Sequence, residues 1–396
     1  MKKEIKVLIL YANYGNGHYQ VSCALKKQFA VQGVTQVKLV DLFSSAHPMM
    51  DRLTRYIYSK SFSFLSSVYG WSYYLTKNMK ESSPLAGRLH TYGIRALGKL
   101  INAEAPDIVI NTFPMMAMSE LRKKKGMNIP IYTVLTDFEC HGRWLHSEVD
   151  KYFVATEDLK NVIIEQGIAP EKVEVSGIPI RDSFEAPSCP ALTSEQRLLD
   201  TEKQTVLILA GASGVSSDLK KTCIELAKSG QCQLLIVCGR NRRLEQTMEA
   251  CLASYEDVHV FGFVENIHHL MNASVCVVTK PGGTTLAEAL RCQLPIFLLR
   301  PVPGQEKENA RYLVNKGAAL MPDHNKNMAN MIIEWLGDKE KRQKMIEAAG
   351  KLQKQHASKT VVTHILDDFN RTINGKFAFG GPLNGIKSTW AKDSLS

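Results

Sequence analysis

Two α/β domains with parallel sheets, facing one another across a cleft, are the architecture this sequence predicts. Three observations carry that reading. At 396 residues the chain is too long for one comfortable core and about right for two. Short apolar runs alternate with helical stretches, and the alternation starts afresh near residue 205. Each set also places a glycine turn directly after its opening strand, NYGNGH at Asn13–His18 and GASG at Gly211–Gly214.

The elements follow in order. Lys6–Ala12 (KVLILYA) is a continuous apolar run of the kind buried on both faces of a parallel sheet. Tyr19–Gln32 reads as helix and Val37–Leu42 as the second strand. Asp107–Asn111, Ile129–Leu135 and Tyr152–Ala155 are further strands, with helices at Thr91–Glu104 and Thr156–Gln166. The boundary holds Pro187, Pro190 and a short helical stretch, Thr193–Asp200, capped by Thr193 or Ser194. The second set opens with strand Thr205–Ala210 and helix Ser217–Ser229. Strands Leu234–Cys238, Val258–Phe261, Val275–Thr279 and Ile296–Leu299 complete it. Lys341–Gln355 and Thr360–Phe369 are amphipathic closing helices. We therefore expect a first domain over 1–185, a linker over 186–204, a second domain over 205–355, a closing helix over 356–372 and a loosely ordered tail over 373–396.

Composition narrows the function. Hydrophobic residues make up 44% and charged residues 22%, which is ordinary globular usage. A formal charge of +10 favours negatively charged partners: phosphate-bearing ligands, anionic lipid or nucleic acid. Nucleic acid is disfavoured, because the basic residues are concentrated in one patch only. Nine cysteines, an odd number without CxxC spacing, indicate neither a disulfide framework nor a structural zinc. No run reaches the 18 or so apolar residues that span a bilayer, and Met1–Lys6 leads directly into a strand, so no secretory signal is expected.

Chemistry concentrates at strand ends. KPGGTTLAEA at Lys280–Ala289 leaves an apolar strand and enters a helix. Its glycines let backbone N–H groups approach a ligand, and the helix adds unpaired donors and a positive dipole end; a diphosphate suits that arrangement. In GASG, Ser213 is placed to bond a phosphate. Glu288 reads equally as an acceptor for two ribose hydroxyls and as a capping acid. PVPGQEKENA at Pro301–Ala310 reads as a rigid loop presenting Gln305, Glu306 and Asn309, polar groups of the kind that read sugars. On the opposite domain His18 opens a helix at the first glycine turn, where a general base would meet a hydroxyl. Asp137, in LTDFECHGRW at Leu135–Trp144, orients His18 or the acceptor; no third ligand with metal spacing accompanies Asp137 and His141. Asn111, Phe113 and Pro114 form a second wall for an acceptor, and Trp144 is either another or core.

One segment is compositionally odd. Residues 48–80 hold eight aromatics, among them Tyr56, Phe62, Phe64 and Trp71, with Arg52, Arg55, Lys60, Lys77 and Lys80 against the single acid Asp51. Tyr and Trp favour the boundary of a bilayer, and Lys and Arg its anionic headgroups, so membrane contact is the reading preferred over a helix packed by its aromatic face.

The ordered series VLILYANYGNGH, DIVINTFPM, VLTDFECHGRW, VDKYFVAT, VSGIPIR, LILAGASG, VCGRN, VTKPGGTTLAEA and PVPGQEKENA closely resembles the bacterial processive diacylglycerol β-glucosyltransferases. Those enzymes are relatives of plant monogalactosyldiacylglycerol synthases and, more distantly, of the peptidoglycan N-acetylglucosaminyltransferase, in glycosyltransferase family 28. The resemblance implies a GT-B fold and inverting, processive glucose transfer from UDP-glucose to 1,2-diacylglycerol and to the glucosyl-diacylglycerol product, giving membrane glycolipids and the lipoteichoic acid anchor without metal or other cofactor. It implies a peripheral protein on the cytoplasmic side of the cell membrane, touching anionic phospholipid. By the same resemblance, Phe263 and Val264 hold uracil, Glu288 the ribose, and Ser213, Gly282, Gly283, Thr284 and Thr285 the diphosphate, with Gly17 close by. Gln305 and Glu306 take the hexose, with Asn309 beside them, and His18 is the base. Tyr56, Phe62, Phe64 and Trp71 fall to the membrane side, and Phe113, Pro114, His141 and Trp144 to the acceptor pocket. Two alternatives stay open: another lipid-linked acceptor such as a cell-wall precursor, and a UDP-glucose sensor with an unknown protein partner.

Overall fold

The computed structural model describes residues 4–13, 16–42, 44, 66–77, 79, 83, 91, 93–185, 196–211, 217–322 and 327–378. Ser213, Tyr56, Phe62, Phe64 and the residues beyond 378 lie outside them, as do Thr193 and Ser194.

The first sheet has six strands: β1 (Lys6–Tyr11), β2 (Gln36–Asp41), β3 (Ile108–Asn111), β4 (Ile131–Val134), β5 (Lys151–Val154) and β6 (Val173–Val175). Their order is β2-β1-β3-β4-β5-β6, every pairing parallel. The second sheet holds β7 (Thr205–Leu209), β8 (Gln233–Val237), β9 (Val258–Phe261), β10 (Cys276–Thr279), β11 (Ile296–Leu298) and β12 (Ala319–Leu320). Its order is β12-β11-β10-β7-β8-β9, again all parallel. Helices α1 (Gly17–Val31), α2 (Ser66–Lys77), α3 (Ile94–Glu104), α4 (Ala117–Lys125) and α5 (Glu157–Glu165) belong to the first half. The second half contributes α6 (Ser217–Ser229), α7 (Arg242–Leu252), α8 (Ile267–Asn272), α9 (Gly283–Arg291), α10 (Gln305–Asn315), α11 (Met328–Gly337), α12 (Lys339–Leu352) and α13 (Ala357–Ala378).

Both sheets reverse their strand order once. In the first, the chain runs outward from β1 to β2 and then in the other direction from β3; in the second it reverses between β7 and β10. Crevices at the carboxyl ends of strands flanking such reversals are where open α/β sheets bind ligands. The four turns there are those that follow β1, β3, β7 and β10, so the two glycine motifs and their partners are collected by topology.

Side chains alternate between cores as strand geometry requires. Leu207, Leu235, Val277, Ile296 and Leu298 face inward and join one apolar cluster that runs on into the first domain through Leu8, Ile110, Val134 and Phe153. Val206, Ile208, Leu234, Ile236, Val278 and Phe297 face outward onto a second cluster closed by Trp335 and Met345. Helix α13 leaves the second domain and packs back on α1, burying Val361, Val362 and Ile365; Gln32 Nε2 donates to Thr363 Oγ1 at 3.0 Å and Lys151 pairs with Asp368 at 2.9 Å.

Three expectations change. PVPGQEKENA is not a loop throughout: from Gln305 it is helix α10, because Gly304 makes the turn and QEKENA consists of good helix formers. The closing helix continues past the expected start of the tail, to Ala378, with Thr372 Oγ1 bonded to the Asp368 carbonyl one turn earlier. Of the short helix expected in the linker, the described residues 196–200 hold a 3₁₀ turn, Gln196–Leu198.

Candidate active site

His18 is the second residue of α1 and is buried. Its Nδ1 lies 2.7 Å from the Thr112 carbonyl oxygen, in the turn after β3, so the two strands at the first reversal are stapled by this ring. A carbonyl only accepts, so Nδ1 carries the proton and Nε2 of the neutral ring keeps its lone pair. The Thr136 hydroxyl oxygen is also 3.1 Å from Nδ1, and its O–H reaches Asp137 Oδ2 at 3.5 Å. Burial pushes the imidazole below its usual pKa; the charge of Asp137 and the Thr112 hydrogen bond push the other way without cancelling it. The His18 ring meets Phe113 edge-on at 5.0 Å between centroids and Trp144 at 6.4 Å. Trp144 itself is fully buried, so it is both core and wall.

The second reversal lies directly opposite. Helix α9 forms because Leu286, Ala289 and Leu290 present a buried stripe at helical spacing, each leucine contributing about 2 kcal/mol by burial. Its N-cap is Gly282, its first turn holds no acid, and among the described residues no side chain caps its leading N–H groups. A Cβ on Gly283 would sit 1.9 Å from the Thr136 carbonyl oxygen and 3.1 Å from Asp137 Oδ1, and one on Gly17 would sit 3.1 Å from Thr284 Oγ1. Gly283 is thus required by the approach of the opposing domain, while a side chain at Gly17 would ask the Thr284 hydroxyl to give by a few tenths of an ångström. Gly282 has nothing within 4 Å of that position and opens onto space in front of the helix end.

The residues around that space are distributed as follows. Glu288 is buried on α9, and its Oε1 accepts from Arg181 Nε at 2.9 Å; burial raises the carboxyl's pKa and the guanidinium opposes it. Phe263, after β9, is 60% exposed, with the Arg240 guanidinium 5.1 Å from its ring centre, and Val264 beside it is partly buried. Thr284 is buried and Thr285 partly so. Gln305 and Glu306 form the first turn of α10, where Glu306 Oε2 accepts from Val302 N–H at 3.1 Å. Burial raises the Glu306 carboxyl and lowers the Lys280 ammonium, each partly offset by the other. Asn309 is fully buried and points away from these groups: its Nδ2 donates to Asp137 Oδ1 at 3.0 Å and to the Pro281 carbonyl at 3.2 Å, while its Oδ1 accepts from Phe138 N–H at 2.9 Å. Among the described residues no three His, Cys, Asp or Glu side chains gather as a metal site.

Comparison with known proteins now decides the family. Residues 18–180 match the monogalactosyldiacylglycerol (MGDG) synthase model and residues 205–362 the glycosyltransferase family 28 C-terminal domain. A processive diacylglycerol beta-glucosyltransferase of Bacillus cytotoxicus is 40% identical over 94% of this chain and 96% of its own. One from Bacillus mycoides is 43% identical over 81% of this chain and 83% of its own. The chain belongs to the processive diacylglycerol beta-glucosyltransferase family. The fold is likewise shared with the S. aureus MnaA–UDP co-structure (TM-score 0.63, 15% identity, 93% of this chain and 97% of that one) and with Acinetobacter baumannii MurG (TM-score 0.61, 15% identity, 92% and 99%). This is the GT-B arrangement of two Rossmann-like domains.

In this member of the glucosyltransferase family α2 packs against both domains. Gly70 abuts Pro303, where a Cβ would come within 2.5 Å. Tyr74 Oη donates to Glu308 at 2.9 Å, and Lys77 bridges Glu308 and Glu139, one from each domain, at 2.8 Å apiece. Burial alone would lower the Lys77 ammonium, but those two carboxylates raise it overall. Trp71 and Leu75 face outward, 68% and 61% exposed, while Tyr73 is buried. His141 is committed to protein: Nδ1 accepts from Arg143 N–H at 3.1 Å and Nε2–H donates to the Tyr73 carbonyl at 3.1 Å. It pins α2 to the loop rather than offering a nitrogen to an acceptor. Pro114 follows Phe113, partly buried.

Four contacts of the candidate site are not legible in the sequence: Thr136, Thr112, Arg181 and the Lys77–Glu308 pair. Thr136 stood inside a quoted motif, next to Asp137, and VSGIPIR ended on Arg181; neither residue type signals its partner, which lies more than a hundred positions away.

Proposed function

We propose that the protein transfers glucose from UDP-glucose to the free hydroxyl of 1,2-diacylglycerol, and then to glucosyl-diacylglycerol, inverting the anomeric centre at each step. The observation that carries the reading is His18 held in the Nδ1–H form opposite the uncapped N-terminus of α9. Relatives 40–43% identical and named processive diacylglycerol beta-glucosyltransferase support glucose as the transferred sugar and diacylglycerol as the acceptor.

The chemistry follows from those groups. Nε2 of His18 takes the acceptor's hydroxyl proton as the oxygen bonds to the anomeric carbon, and the bond from that carbon to the UDP β-phosphate oxygen breaks on the opposite face. One displacement inverts an α-linked donor to a β-glucoside. Negative charge grows on the departing diphosphate, where the leading N–H groups and dipole of α9 stabilise it more than in the ground state. A well-aimed donor of this kind is worth on the order of 3 kcal/mol of barrier. Phe263 stacks the uracil, Glu288 takes ribose hydroxyls, and Gln305 and Glu306 read the hexose. In this reading the outward Trp71 and Leu75 of α2 enter the headgroup boundary of an anionic leaflet, with the protein peripheral on the cytoplasmic side; their exposure supports the contact.

Labelled UDP-glucose incubated with the protein and diacylglycerol vesicles tests this, with products resolved by sugar number. Mono- and diglucosyl lipid is the expected result. UDP binding without any glycolipid would move the acceptor to another lipid-linked class. His18→Ala should keep UDP affinity and lose at least 10²-fold in turnover; unchanged turnover removes His18 as base.

A further inference from the structure

The groups that hold His18 do not end within its own domain. The Nδ1–H is shared between the Thr112 carbonyl and Thr136 Oγ1, Thr136 O–H points to Asp137 Oδ2, and Asp137 Oδ1 is held by Asn309 Nδ2 from the other domain. The same amide nitrogen bonds the Pro281 carbonyl, the residue before the glycines of the phosphate loop, and the amide oxygen bonds Phe138 N–H. Two of the four hydrogen-bonding directions of the Asn309 amide are therefore used between domains and a third within its own, and the residue is fully buried. Its helix, α10, begins with Gln305 and Glu306 at the proposed hexose site. Farther along it carries Tyr312, which stacks on Phe138 at 5.8 Å and donates to Asp158 at 2.7 Å, and Lys316, which pairs with Asp158 at 2.8 Å.

We propose that Asn309 is a positioning residue: it fastens the Asp137–Thr136–His18 array to the phosphate loop, so that the base is correctly placed only when the donor domain is docked. The donor-binding domain thereby assembles the general base of the acceptor domain. A group with this duty is expected to act on turnover and not on donor affinity, which separates it from the hexose contact that its neighbourhood in the sequence suggests. The inference rests on His18 being the base.

The test compares Asn309→Ala, Asp137→Asn, their double variant and Thr136→Val in the full-length protein. Initial rates with UDP-glucose and diacylglycerol micelles are measured together with UDP affinity by calorimetry and thermal melting. Asn309→Ala should lower kcat by on the order of 10²-fold, as a misplacement of about 1 Å does, while the Kd for UDP moves less than threefold. The double variant should be no slower than the slower single variant, because both break one chain of contacts. Thr136→Val cuts the chain without touching Asn309 and should reproduce most of the loss; it also decides the matter if Asn309→Ala does not fold. Asn309→Asp, which sets a second carboxylate against Asp137, should be slower than Asn309→Ala. A tenfold weaker UDP-glucose KM with kcat intact would make Asn309 a donor contact and overturn the proposal. So would losses that multiply in the double variant, or a fully active Thr136→Val. An active His18→Ala would instead strike the base assignment, and a dead His18→Ala beside a fully active Asn309→Ala would strike this inference alone.

Discussion

Adding one methyl group at Gly283 should force the two domains apart. The Cβ of an alanine there would lie 1.9 Å from the Thr136 carbonyl oxygen, 3.0 Å from its carbonyl carbon and 3.1 Å from Asp137 Oδ1. Ordinary carbon–oxygen contacts fall near about 3.3 Å, so roughly 1.4 Å of separation must be found. The nearest atoms are backbone, which has no rotamer to escape into. Displacing a general base from its acceptor by about 1 Å lowers turnover on the order of 10²-fold, about 2.7 kcal/mol of barrier. Gly282 supplies the control. A Cβ there meets nothing within 4 Å, and its backbone, φ −78° and ψ 130°, suits any residue. Its methyl would occupy the space before the α9 terminus where the diphosphate is expected. Transfer of labelled glucose to diacylglycerol, measured across UDP-glucose concentrations with calorimetric UDP affinity and melting curves, distinguishes the two. Gly283→Ala should lose about 10²-fold in kcat with UDP affinity within threefold; Gly282→Ala should raise KM about tenfold and melt as the parent does. A Gly283→Ala protein with unaltered kcat would refute the docking of Thr136 on the phosphate loop during turnover.

Two further outcomes follow. Lys77→Met leaves Glu308 and Glu139 facing each other without their shared cation; we expect about 1–2 kcal/mol lower stability, less than for a deeply buried pair because the lysine is 23% exposed, read as a lower denaturant midpoint at unchanged slope. His141, pushed down to about 4 by burial and the nearby Arg143 and Lys77 charges, stays neutral in the fold where a free histidine protonates. The unfolded chain therefore binds the extra proton first, and stability present above about pH 6.5 is lost as pH falls toward 4, by up to about 3 kcal/mol. His141→Asn keeps the acceptor toward Arg143 N–H, loses the donor toward the Tyr73 carbonyl, and should flatten that part of the stability profile; an unaltered slope assigns it to other groups.

The legibility of this protein in its sequence divides along a physical line. Features written in consecutive residues were readable: the apolar runs of β1 and β7, the glycine turns, and the strand-to-helix passage at Lys280–Ala289. Helix α10 was not, since the prolines and glycine of PVPG read as a loop and hid the helix formers behind them. Pairings between distant segments were beyond reach: Asn309 with Asp137 is separated by 172 positions and Arg181 with Glu288 by 107. An asparagine beside the candidate hexose groups Gln305 and Glu306 looks like one of them until the backbone turns it toward the other domain. His141 misled in the same way. A histidine in a polar motif suggests ligand contact, whereas its two nitrogens fasten a helix to a loop.

The return of α13 to α1 has a consequence for how the molecule is made. Val361, Val362 and Ile365 fill a place on the first domain, and they are synthesised after the whole second domain. During translation the first half thus leaves the ribosome with part of its apolar surface uncovered, and remains so until the last helix arrives. A chain interrupted after residue 355 would keep both sheets and still lack this seal. Production of either half alone should accordingly give aggregation-prone protein, and co-expressed fragments should recover solubility only when α13 travels with one of them.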